Sequence, residues 1–224
     1  MTDAGGTSRH RRLALGGVIW PATFVAAWAM GAVVQDRGLS PIDDAISQLA
    51  HVDTNTRWLM TAGLGVFAIG VGAFAASVRW TLGAATMFWL GATAASTVAV
   101  AALPLGVSDT VDRLHGVAAG LGYLTLVAAP LAARRPLARL GATRVSRAGT
   151  AAAAVAAASL VASLTIGPTG LFQRIGLTVV DVWIVVVAAL LATGRLQLRR
   201  QGRQPPEVRD GDRSRPTATA ACSV

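Results

Sequence analysis

The sequence predicts an all-α, polytopic transmembrane helical bundle with six transmembrane helices and a short interfacial helix in the first outer loop. Composition carries the first part of that reading. Of 224 residues, 53% are apolar and only 14% charged, and mean hydropathy is +0.54. Soluble domains carry about 25% charged residues. Six stretches meet or approach the roughly 20 apolar residues that span a hydrocarbon core about 30 Å thick. Arg, finally, falls in alternate connecting segments. Together these exclude a disordered chain, a disulfide scaffold and an ordinary soluble enzyme.

The predicted spans are Leu13–Val34, Trp58–Val78, Gly83–Pro104, His115–Ala133, Thr150–Ile166 and Ile175–Gly194. Span one follows a basic run of Arg9, His10, Arg11 and Arg12, as a signal peptide would. Its 22 residues exceed the 7–15 of a signal core, so it reads as a retained helix. Span five is nearly all Ala, and its few Ser and Thr can bond back to helix carbonyls. Residues 1–12 form a basic N-terminus, 13–194 the membrane domain, and 195–224 an Arg-rich tail expected to be disordered.

All 20 basic residues are Arg. Sixteen of them precede span one, follow span six, or lie between spans two and three and four and five. The other loops hold Arg37, Arg57, Arg113 and Arg174 against six Asp: Asp36, Asp43, Asp44, Asp53, Asp109 and Asp112. By the positive-inside rule both termini are expected in the cytoplasm of a bacterial inner membrane. The net charge of +9 then reflects topology and contact with anionic lipid at the cytoplasmic face, about 1 kcal/mol per residue near the surface. Membrane lipid is the expected partner. A nucleic-acid role is not expected, because no folded basic domain or aromatic platform accompanies the charge. Cys222 stands alone, which excludes an internal disulfide or a Cys-rich metal site.

Helix association inside lipid depends on close backbone packing. Gly116 and Gly120 form a GxxxG in span four, while Gly63, Gly65, Gly70 and Gly72 punctuate span two. Span three offers Gly91, Ala95 and Ala99. These are the expected contact faces.

Chemistry, if present, belongs to the outer loops. Ser40-Pro41 followed by Asp43 reads as a helix start, with Ser as cap and Pro at the first position. Ile42, Ala45, Ile46 and Leu49 then form one apolar stripe, as in a short amphipathic helix lying on the outer interface over residues 40–50. Asp44, Ser47 and His51 share a side of that helix. A nucleophilic triad is not expected from them, because Ser would sit between the other two with no elbow to expose it. Ser108 and Asp109 mark a second helix start, with Asp112 and His115 on the following turn. His51, His115 and the nearby carboxylates are metal-ligand types, but no HxxxH or HExxH spacing joins them, so neither metal nor cofactor is expected.

Asp181 is the least expected residue, six positions inside span six. A carboxylate at mid-membrane costs about 2.5–3.5 kcal/mol on insertion scales, so it should face the bundle and find a polar partner. Arg174, seven residues earlier on the same face, is the sequence-local candidate, and Arg113 or His115 from span four could equally serve.

Three passages stand in order: Asp44-Ala-Ile-Ser-Gln-Leu49, Arg113-Leu-His115, and Gly170-Leu-Phe-Gln-Arg-Ile175 with Trp183. They resemble the bacterial domain-of-unknown-function family 998, small six-helix membrane proteins, over about residues 13–194. The resemblance implies the six-helix fold and no established activity. It also implies an acid before the Arg of the third passage, where this chain has Gln173.

The expected function is therefore that of a non-enzymatic membrane protein, either transporter-like or structural and lipid-interacting. The competing expectation is a membrane enzyme acting on a lipid or isoprenoid at the outer interface, through Asp43, Asp44, His51, Asp112, His115 and Arg174.

Overall fold

A computed structural model describes residues 4–196, with side chains from residue 11 onward. Arg9 and His10, the Arg-rich tail from residue 197 and Cys222 lie outside the residues so described. The helices are α1 Ala4–Val34, α2 Arg57–Leu82, α3 Ala84–Ala102, α4 Asp109–Arg139, α5 Thr143–Thr165 and α6 Thr169–Ala192. All six are long and apolar enough to cross a membrane. By helix length and hydropathy this is a multi-pass membrane protein.

The helix ends follow from local chemistry more than from hydropathy. The α4 helix begins at Asp109, six residues before the expected span, because Ser108 accepts a hydrogen bond from the Val111 amide and Asp109 and Asp112 occupy its first turn. It also continues through Pro130 and Pro136 to Arg139. The α5 and α6 helices likewise start several residues before the expected apolar stretches, at Thr143 and Thr169. Hydropathy locates the part of a helix that lipid covers, and the polar first turns lie beyond it.

Each helix packs on its sequence neighbours, and α6 closes the ring against α1. The connections at one end are residues 35–56, 103–108 and 166–168, the first of them the longest; at the other they are Gly83 and residues 140–142. The first set carries Arg37 with Asp36, Asp43, Asp44 and Asp53; it is called the Arg-poor end below. Trp58 and Trp80 mark the two ends of α2, at 71% and 72% exposure. Arg57 and Arg79 stack over them at 4.7 and 4.9 Å. Their separation in sequence corresponds to about 33 Å of helix, close to the hydrocarbon thickness. Such rings belong at the headgroup level.

Close packing uses fewer of the small residues than the sequence suggests. Gly70 lies against Trp20 of α1: a Cβ there would fall 1.8 Å from the Trp20 Cδ1. Gly63 meets Ala27, and Gly149 in α5 lies beneath Trp183, whose indole donates to the Val145 carbonyl at 3.2 Å. The GxxxG of span four is different. Gly116 is exposed, and a Cβ on either Gly116 or Gly120 would meet nothing within 4 Å. That pair is not a contact face; the buried side of α4 runs instead through His115, Ala118, Leu126, Ala129 and Ala133.

Candidate functional site

The site starts with the loop between α1 and α2. A short helix does form there, but as a 3-10 turn over Ile46–Ala50 rather than an α-helix from Ser40. Ser40 caps as expected: its hydroxyl accepts from the Ile42 and Asp43 amides, and Asp44 N–H reaches the Ser40 carbonyl at 2.9 Å. One turn later the chain extends at Ala45, with ψ 146°. The physical reason lies in α6. Its first amides have no partners within their own helix, and the loop supplies them. Leu171 N–H donates to the Ile42 carbonyl at 2.8 Å and Gly170 N–H to that of Asp43 at 3.4 Å. Arg174 Nη1 donates to the carbonyls of Pro41 and Asp44, at 2.6 and 3.1 Å. The carbonyls an α-helix would need for propagation are thereby taken.

Only glycine admits this contact at position 170, since a Cβ would lie 2.2 Å from the Asp44 carbonyl oxygen. The loop is thus strapped to α6, and its apolar residues turn inward. Ile46, Leu49 and Ala50 are buried in the core, while Ile42 is exposed. The expected single stripe is split, and residues 46–50 roof the bundle rather than lie flat on an interface.

Under the roof is a cavity of about 100 Å³. That is room for several waters or one small organic molecule. Phe24, Met60, Leu64, Phe67, Leu126 and Leu177 are the large apolar residues of its inner wall, with Ile46 from the roof. The polar groups are few: Ser47, Thr93, Thr97, His115, Tyr123, Gln173 and Asp181. It runs inward from Gln173 to Asp181, eight residues of α6 or about 12 Å.

Most of these polar groups are satisfied. Gln173 Oε1 accepts from the Ile46 amide at 3.0 Å, the bond through which an acid at this position would also hold the roof. Tyr123 donates to the Gln173 carbonyl at 2.8 Å. Thr93 and Thr125 join at 3.0 Å, and Thr97 bonds back to the Thr93 carbonyl. Two atoms are not. His115 is 3% exposed and places Nδ1 2.6 Å from the Leu103 carbonyl. A carbonyl only accepts, so Nδ1 bears a proton and Nε2 is left for a second partner. That Nε2 is buried and without a partner. Asp181 is also 3% exposed, and its Oδ1 is buried and without a partner.

The expected ion pair of Asp181 with Arg174 is absent. The Arg174 guanidinium is drawn to the loop carbonyls and lies over the Trp28 ring at 5.3 Å. No described Arg lines the cavity. Asp181 faces the bundle interior, at the midpoint of α6 and deeper than its span position suggested, and lines the same cavity as Tyr123.

The remaining candidates are spent locally. Asp43 accepts from the Ser40 hydroxyl and Asp44 from the Ser40 amide, both at 2.7 Å. Asp112 accepts from the Gly106 amide at 2.9 Å. His51 packs on Gly106 and accepts from the Asp53 amide at 3.2 Å, so it belongs to the roof and not to the cavity. Among the described residues no three His, Cys, Asp or Glu come together as a metal site. His51, His115 and Arg174 do not share a pocket; only His115 reaches it.

Tyr123, Thr93 and Thr97 were not singled out from the sequence, although signals existed. Tyr123 is the one Tyr of the chain and sits inside a span, and the two Thr are four residues apart on one helix face. The three passages that suggested a family each reach the cavity, through Ile46 and Ser47, His115, and Gln173.

No curated protein and no solved structure matches the chain. A family described as a protein of unknown function, DUF998, matches residues 15–190. With six apolar helices and most of its length aligned, the chain belongs to the DUF998 family.

Proposed function

We propose that this protein is a non-enzymatic, transporter-like bundle of a bacterial cytoplasmic membrane that takes one small, mostly apolar molecule into the cavity beneath the 46–50 roof. One observation carries the reading: a chiefly apolar chamber contains two buried, unpartnered polar atoms, His115 Nε2 and Asp181 Oδ1. Orphan buried polar atoms cost about 1–3 kcal/mol each, and a chamber with few convergent polar groups is the usual form of a ligand site. The enzyme reading has less support. Five of its six residues serve as turn caps or as the strap, and none of those five lines the cavity.

Membrane lipid surrounds the bundle in this reading. The 16 Arg of the alternate segments face the cytoplasm and its anionic lipid, and the roofed end of the cavity lies on the outer side.

The test is binding of 2-phenylethanol to purified protein in nanodiscs, by equilibrium dialysis against empty discs. Saturable binding to the wild type is expected. Ala119→Phe, which adds volume at the cavity wall, should weaken it at least tenfold with helicity and Tm retained; Thr97→Met provides a second filling variant. Absence of saturable binding, or equal affinity in folded filling variants, overturns the proposal.

A further inference from the structure

We infer that the cavity selects a lipophilic amine, a cationic nitrogen on an apolar body, with Asp181 as its counter-ion; this rests on the cavity being a binding site. The two unpartnered buried atoms that line the cavity are a carboxyl oxygen and an imidazole nitrogen, and a group that brings N–H donors suits both, while the third such atom, Arg174 Nε, lies outside the cavity. At the deep end stands the carboxyl group, buried at the midpoint of α6. Among the described residues none forms an ion pair with it: the one pair within 4 Å is that of His51 with Asp53, outside the cavity. Arg174, the cation nearest in sequence, is committed to Pro41 and Asp44.

A buried carboxyl group in a membrane interior stays neutral while nothing pairs with it and ionises against a partner that brings positive charge. The chain has no Lys, no described Arg lines the cavity, and His115, the one basic side chain that does, makes no described ion pair with Asp181, so the place for a cation beside Asp181 is open to what enters. An ammonium suits the place. It donates to Asp181, and its apolar body follows the wall of Leu177, Leu126, Phe67 and Phe24 toward the roof. The Phe24 and Phe67 rings, 5.1 Å apart, offer aromatic faces to such a body. An anionic ligand is disfavoured by the same charge.

Three molecules of nearly one size separate the cases: 2-phenylethylamine, neutral 2-phenylethanol and anionic 3-phenylpropanoate. Each is dialysed against wild-type protein in nanodiscs, with empty discs subtracted. The amine should bind the wild type at least tenfold more tightly than the alcohol, and the propanoate more weakly than both. In Asp181→Asn the ratio of amine to alcohol affinity should fall to near one, and Asp181→Leu gives the same measurement with the polar group removed. Saturable binding with a ratio near one in the wild type overturns the amine assignment and leaves the cavity standing. So does a preference that survives Asp181→Asn and Asp181→Leu. If none of the three binds saturably, the cavity reading falls, and this inference with it.

Discussion

Arg174 Nη1 lies 2.6 Å from the carbonyl oxygen of Pro41, joining the second turn of α6 to a loop 133 residues earlier in the chain. The same nitrogen reaches the Asp44 carbonyl, and the guanidinium rests over Trp28 of α1. One side chain thus ties three segments at the Arg-poor end and holds the roof over the cavity. It also explains why an arginine so near Asp181 in sequence does not neutralise it.

Arg174→Ala should loosen the roof. Hydrogen bonds from a charged donor contribute about 1.5–3 kcal/mol, and partial exposure here argues for the lower end. In a Cys222→Ser background, Ser47→Cys should react faster with a maleimide once Arg174 is removed. Arg174→Lys should fall between, keeping a donor but losing the planar contact with Trp28. Unchanged labelling in Arg174→Ala would show that the strap does not govern access.

Gln173→Glu should be tolerated, because a carboxylate oxygen can accept the same bond from the Ile46 amide. Gln173→Leu leaves that amide unpaired and should cost about 1 kcal/mol. Thermal unfolding in detergent compares the two. Equal losses would mean that the 3.0 Å bond from Ile46 is not what position 173 provides.

Asp181→Leu should leave folded yield unchanged or raise it. A residue that makes no protein hydrogen bond and costs desolvation is a liability to the fold, and replacing it with an apolar group relieves that cost. A lower yield for Leu than for Asn, by size-exclusion profile, would instead assign Asp181 a structural bond.

Gly70→Ala should disrupt the α1–α2 contact, since a Cβ there would overlap Trp20. Gly116→Ala and Gly120→Ala should be neutral, or stabilise the helix by about 0.5–1 kcal/mol, through helix propensity alone. Melting temperatures of the three variants decide this; a large loss at Gly116 would restore the GxxxG face.

Reporter fusions after Arg79 and Arg139 should signal cytoplasm, and fusions after Asp53 and Asp109 the exterior. A cytoplasmic signal at Asp53 would overturn the orientation drawn from the 16-to-4 division of Arg.

The six spans, their order and the Ser108 and Ser40 caps were legible in the sequence, because lipid imposes a length on apolar runs and capping acts within four residues. Asp181 was legible as a residue that had to face inward, by the energy of a carboxylate in hydrocarbon. Its lack of a partner was not. That depended on Arg174 finding two carbonyls at Pro41 and Asp44, more than a hundred residues away, and no local pattern records such a choice. The loop helix shows the same division. Its residues carry the stripe of an amphipathic α-helix, but the amides of Gly170 and Leu171 take its carbonyls and leave a 3-10 turn. Local sequence determines which backbone groups are free to bond, and tertiary structure decides which of the competing partners reaches them first.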